Sequence, residues 1–133
     1  MPSFGKRSRE NLEQCDRRLQ AVLRRAITLE DFSVIQGHRT NEAQQIAFDG
    51  GKSMARPGQS PHNHKPSMAF DFVPWPFNNL WTSGRFDYLG GLFIGVGSGL
   101  GISLEWGGDF SSLTDKPHIQ IKGWQKEVEN GQV

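Results

Sequence analysis

His64-Lys65-Pro66-Ser67-Met68-Ala69-Phe70-Asp71-Phe72-Val73 reads as a bend followed by a strand, and it sets the fold class of this chain. Pro66 and Ser67 supply the bend. From residue 68 to 73 the residues alternate, so Ala69, Asp71 and Val73 share one face while Phe70 and Phe72 take the other. The stretch Asp115-Lys-Pro-His118-Ile-Gln-Ile-Lys122 repeats the pattern, with His118, Gln120 and Lys122 opposing Ile119 and Ile121. Each strand therefore has one apolar face for a core and one face that carries a metal-ligand type of side chain. If the strands neighbour each other, Asp71 and His118 converge, and His64, seven residues ahead of Asp71, folds back from the loop as a third ligand.

Working outward, residues 32–36 and 102–106 add two strands rich in β-branched and aromatic residues. Leu12, Cys15, Leu19, Val22, Leu23 and Ala26 recur at helical spacing, which predicts one helix over residues 8–29 with Ser8 as its cap. Thr40-Asn-Glu-Ala-Gln44 opens a second helix in the manner of a capped first turn. Residues 88–104 form the longest uncharged run; it is short of the roughly 20 apolar residues that span a bilayer, and six glycines dilute it. A buried helix whose glycines allow close packing on a sheet is the expectation there. Residues 50–61 read as a surface loop leading into His62 and His64. Together these elements predict an α+β domain, with N-terminal and central helices packed on a small, mostly antiparallel sheet and the site in a cleft.

The 133 residues suit one domain spanning 1–133, and 35% hydrophobic residues with nine Phe and four Trp are enough for its core. The lone Cys15 excludes an internal disulfide and a cysteine-rich metal site, so any metal must use histidine and carboxylate. Only four histidines exist, at 38, 62, 64 and 118, and three of them lie in or beside the two quoted segments. Three protein ligands plus a neighbouring carboxylate, here Asp115, are the inventory of a catalytic zinc site. The alternative reading is ordinary structure: an aspartate that caps a turn and satisfied core histidines. The net charge is +1, but Lys6, Arg7, Arg9, Arg17, Arg18, Arg24 and Arg25 crowd the first 25 residues. Glu10, Glu13 and Asp16 interleave with them, which favours a solvated helix face over a nucleic-acid surface. No apolar stretch follows the first positive charges, so synthesis in the cytoplasm without a secretory signal is expected.

Gln36-Gly-His-Arg39-Thr, His62-Asn-His64-x6-Asp71-Phe and Asp115-x-x-His118-Ile-Gln-Ile resemble the zinc peptidases of the D-alanyl-D-alanine carboxypeptidase and dipeptidase superfamily. The resemblance is greatest to the phage endolysins that act as L-alanyl-D-glutamate endopeptidases, and it runs from about Phe4 to Ile121. It implies Zn²⁺ held by His64, Asp71 and His118, Asp115 as the acid/base, Arg39 facing the substrate carbonyl, and Gln44 at a polar substrate-pocket position. Arg39 has a competing reading as a surface salt bridge, and Gln44 as a solvent-facing helix residue. The family pattern Ser-x-His-x-x-Gly-x-Ala-x-Asp has His62 at the serine and Ser67 at the glycine. His62 then donates to substrate, competes for metal, or is an exposed loop histidine.

The implied partners are peptidoglycan stem peptides and a holin-type membrane-permeabilising protein that gives a cytoplasmic monomer access to the periplasm or cell wall. Neither nucleic-acid binding nor stable membrane insertion is implied. Two other functions share the inventory: a D-alanyl-D-alanine carboxypeptidase or dipeptidase, and a non-catalytic wall-binding module that keeps zinc for stability.

Overall fold

The helical stretch at the N-terminus divides in two, where its apolar spacing alone predicts one helix. In the computed structural model, which describes residues 2–129, α1 spans Lys6–Glu13 and α2 spans Arg17–Ala26. The break has two physical causes. Asp16 is an N-cap, its side chain accepting from the Arg18 N–H. Residues 14–16 also pair with the bend before Asp71: the Ser67 N–H donates to the Gln14 carbonyl at 2.8 Å, and the Asp16 N–H to the Ser67 carbonyl at 2.9 Å. A straight helix would forfeit both bonds.

The remaining elements follow in the order β1 (Phe32–Gln36), α3 (Asn41–Asp49), a 3₁₀ turn (Pro61–Asn63), β2 (Ala69–Pro74), α4 (Gly84–Gly99), β3 (Leu104–Trp106), a second 3₁₀ turn (Gly107–Asp109), β4 (His118–Ile121) and α5 (Trp124–Glu129). The four strands form one antiparallel sheet in the order β1-β2-β4-β3. Its register aligns Gln36, Asp71 and His118 in one row across β1, β2 and β4. A second row holds Ala69, Gln120 and Glu105. Both rows lie on the face opposite the core, as the alternation in β2 and β4 requires.

On the other face Phe70, Phe72, Ile119 and Ile121 are buried under the helices. Phe93 of α4 is the hub of this core, edge-on to Phe32, Phe70 and Phe72 at centroid distances of 4.9, 5.1 and 4.8 Å. Such pairs add to burial, which for a phenylalanine contributes about 1.5–3 kcal/mol.

The glycines of α4 explain how a helix lies so near the sheet. A Cβ on Gly90 would stand 2.6 Å from the Trp106 ring, and one on Gly97 would stand 2.9 Å from the Ile102 carbonyl and the Leu104 side chain. The outer edge of β1 is covered by α1: the Val34 N–H donates to Ser8 Oγ and its carbonyl accepts from Asn11 Nδ2. That edge is thus closed to strand addition at Val34. At the C-terminal end, Arg18 bridges Asp16 and Glu127, tying α5 to the start of α2.

Candidate metal centre and its cleft

Two histidines and one aspartate meet on the open face of the sheet. Asp71 comes from the middle of β2 and His118 from the first residue of β4, placed side by side by the strand register. His62 comes from the 3₁₀ turn, which Ser60 caps through a reciprocal pair of bonds with Asn63. The turn is gripped by the end of β1. Arg39 N–H donates to the His62 carbonyl at 2.8 Å, and Asn63 Nδ2 donates to the Arg39 carbonyl at 2.9 Å. A register shift between Val34 and Gln36 swings this segment out of the ladder. Gly37 then passes so close to α1 that a Cβ there would meet the Asn11 carbonyl.

His62 Nε2, His118 Nδ1 and Asp71 Oδ1 form a nearly equilateral triangle. Its edges are 3.2 Å between the two nitrogens, 3.2 Å from His62 to Asp71 and 3.1 Å from His118 to Asp71. The outer nitrogens decide what these inner atoms present. His62 Nδ1 lies 2.8 Å from the Gly37 carbonyl, an oxygen that only accepts, so Nδ1 carries the proton and Nε2 presents its lone pair. His118 Nε2 lies 2.8 Å from Gln120 Oε1, another acceptor, so Nδ1 is bare in the neutral ring. Two lone pairs and a carboxylate oxygen thus face one another, an arrangement that calls for a cation between them.

These three residues can hold a metal ion. In a tetrahedral zinc site with bonds of about 2.0–2.1 Å, neighbouring donors are about 3.3 Å apart. The triangle fits that edge.

A proton competes with that cation for the same lone pairs. Burial works against ionisation of Asp71, but the two histidines outweigh it and hold the carboxyl well below its usual range. Burial likewise disfavours a charged His118, yet the hydrogen bond and charge of Asp71 raise its pKa. Beside the triangle stands Asp115, with Oδ2 3.9 Å from His118 Nδ1 and its side chain half-exposed. Partial burial, followed by the negative charge of Asp71, pushes its pKa upward. Its backbone is fixed by the second 3₁₀ turn, through Asp115 N–H to the Gly107 carbonyl at 2.9 Å. Gly107 is obligatory for this contact, since a Cβ would collide with the Asp115 carbonyl.

Arg39 reaches in from the other side. Its guanidinium donates to Gln44 Oε1 at 3.0 Å and to Asp71 Oδ2 at 3.4 Å, so it points inward rather than holding a pair on the outer surface. Arg39, His62, Asp71, Asp115 and His118 line a cleft of about 410 Å³, whose walls include Met54 and Leu113. Both wall residues are exposed and apolar.

Three assignments change in the structure. His64 lies outside the triangle; its ring packs on Trp124 at a centroid distance of 5.6 Å. The capped 3₁₀ turn directs His62 inward, and His64, two residues later, has left that turn at its C-terminal end. His62 is therefore neither an exposed loop residue nor a substrate donor on this geometry. It is 1% exposed and supplies the third corner. Gln44 is fully buried and out of reach of substrate: its amide nitrogen donates to Ser53 Oγ and the Ala55 carbonyl while its oxygen accepts from Arg39.

Sequence reasoning missed Gln120 and Glu105, although strand alternation already placed Gln120 on the same face as His118. Asp109, at the end of the second 3₁₀ turn, makes no hydrogen bond to these histidines among the described residues. The signal for His62 was also present, since Ser60-Pro-His62 keeps the Ser-x-His half of the family pattern with two extra residues before Asp71.

Fold and site together define a small α+β domain with a cleft over a side-chain group that can hold a metal ion. The phage L-alanyl-D-glutamate peptidase model matches residues 2–126, and the chain belongs to that family. It is similar to the L-alanyl-D-glutamate peptidase of Escherichia phage T5, with 35% identity over 125 residues, 90% of this chain and 88% of the relative. Among solved structures it resembles the Serratia marcescens L-Ala D-Glu endopeptidase ChiX, at a TM-score of 0.78 and 29% identity, with 92% of each chain covered. The vancomycin-resistance D,D-dipeptidase VanXYg shares the fold at a TM-score of 0.53 and 18% identity, over 86% of this chain and 53% of that one. Among the described residues no helix is long and apolar enough to cross a membrane.

Proposed function

We propose that this chain is a zinc-dependent peptidoglycan peptidase that hydrolyses the L-alanyl-D-glutamate bond of the stem peptide, with His62, Asp71 and His118 as the ligands. The observation that carries the reading is the orientation of the two imidazoles, whose protonated nitrogens are tied to acceptors so that both bare nitrogens face Asp71. The family supplies the bond. A bound zinc supplies Lewis acidity toward the scissile carbonyl and lowers the pKa of water from near 16 toward about 7.

The protein side of the reaction belongs to two groups. Asp115, at the cleft surface beside the triangle, takes the proton of the attacking water on Oδ2 and returns it to the leaving D-glutamate nitrogen. Its raised pKa favours a carboxyl that can both accept and give up that proton. Arg39 directs guanidinium N–H groups into the cleft, where they stabilise negative charge developing on the carbonyl oxygen. The apolar wall at Met54 and Leu113 suits the alanine side. The 1–133 chain acts as one catalytic domain and a monomer, made in the host cytoplasm and admitted to the wall by a holin-type partner.

Purified peptidoglycan tests this. Digestion should expose a new free amine on D-glutamate, stop on chelation and resume with Zn²⁺. Release of terminal alanine instead would move the chain to the carboxypeptidase reading. Full activity after complete metal removal would overturn the mechanism.

A further inference from the structure

We propose that Gln120 and Glu105 form a positioning dyad that fixes His118 in the tautomer able to bind metal through Nδ1; the inference rests on the metallopeptidase reading above. Histidine can present either ring nitrogen, and the partner on the other nitrogen decides which. Here that partner is an amide, which is ambiguous because either its oxygen or its NH₂ group can face the ring. Turned with NH₂ toward His118, Gln120 would need an acceptor at Nε2, and the proton would move to Nδ1, where it would block the metal.

Glu105 removes the ambiguity. Its Oε1 lies 3.0 Å from Gln120 Nε2, and a carboxylate only accepts. The reverse orientation would set the amide oxygen against the carboxylate oxygen. Gln120 therefore donates to Glu105 and offers Oε1 to His118 Nε2–H at 2.8 Å, leaving Nδ1 bare toward Asp71 and His62. The sheet builds this chain without loops. Glu105 and Gln120 are directly opposed across β3 and β4, and His118 and Gln120 are two residues apart on one face of β4. Gln120 is buried at 9% exposure, so water competes poorly for either end of the amide.

Partners of metal-bound histidines typically matter by about 10- to 100-fold in metal affinity. Gln120→Leu should therefore weaken Zn²⁺ binding by about that factor, measured by competition with a chromogenic chelator. Glu105→Leu should show a smaller loss in the same direction, since it frees the amide to turn. The decisive variant is the exchange Glu105→Gln with Gln120→Glu. It places a carboxylate against His118 Nε2–H and an amide donor behind it, and should restore affinity to within about threefold of wild type. Nitrogen NMR of the metal-free variants separates the dyad from packing, since only loss of the dyad moves the His118 proton from Nε2 to Nδ1.

Unfolding of the metal-free variants is followed alongside, so that a loss of fold is not read as a loss of ligand geometry. Wild-type affinity in Gln120→Leu, or an exchange variant as weak as Gln120→Leu, would overturn the dyad. A wild-type protein that fails to bind Zn²⁺ at all would overturn the metallopeptidase reading along with it.

Discussion

Replacing Gln44 with leucine isolates the most buried polar network next to the cleft. Gln44 is 0% exposed and satisfies three partners at once, Arg39 Nη1, Ser53 Oγ and the Ala55 carbonyl, at 3.0, 2.9 and 2.8 Å. Leucine fills similar volume but makes none of these bonds. Losing the charge-assisted bond from Arg39 costs about 1.5–3 kcal/mol and stranding the Ala55 carbonyl about 1–3 kcal/mol.

The cleft readmits some water to Arg39, so the net destabilisation should be about 3–5 kcal/mol, against a total stability of about 5–15 kcal/mol. That is a fall of about 10 °C or more in Tm for a chain of this size. Thermal and urea unfolding of the metal-free protein measure it, with Gln45→Leu as the control. Gln45 is the exposed neighbour whose amide, among the described residues, bonds only Asp49, and its loss should stay within about 0.5 kcal/mol. Hydrolysis should also slow, because Arg39 loses the contact that aims it. A Gln44→Leu protein with wild-type unfolding and wild-type rate would refute both the network and its link to Arg39.

Asp115→Asn keeps the side-chain shape but cannot carry the proton; it should lower hydrolysis by about 10²- to 10⁴-fold while zinc content stays at wild-type level. Asp16→Asn retains an N-cap acceptor for α2 but loses the ion pair to Arg18. Burial opposes ionisation of Asp16, yet Arg18 outweighs it and lowers the pKa. Its carboxylate therefore stabilises the fold above the unfolded value of about 3.9, and the gap between wild type and variant, followed by urea unfolding, should narrow as pH falls below that value. Gly90→Ala should destabilise the protein by about 1–3 kcal/mol in the same experiment, because the added methyl would press on the Trp106 ring. Activity should fall with it, since Trp106 Nε1 holds the Lys116 carbonyl next to Asp115.

The sheet was legible because both of its central strands alternate. Phe70, Phe72, Ile119 and Ile121 announce one buried face, and Asp71 and His118 were left on the other, where the register brings them together. The break between α1 and α2 was hidden because Leu12, Cys15 and Leu19 keep helical spacing straight through it. Only the pairing of residues 14–16 with Ser67, a contact across 52 positions, shows why the chain turns at Asp16. The choice between His62 and His64 was obscured for a related reason. A ligand seven residues before the aspartate fits the family spacing, but the 3₁₀ turn built by Ser60 and Asn63 points inward two residues earlier. Glu105 carried no local signal at all, since its partner is found only through the β3–β4 register.

An anomalous-scattering map collected at the zinc edge from zinc-loaded crystals decides which three side chains hold the ion. One peak is expected about 2.0–2.2 Å from His62 Nε2, His118 Nδ1 and an Asp71 carboxylate oxygen, with the His64 ring still against Trp124. A peak bonded to His64 in place of His62 would contradict that assignment.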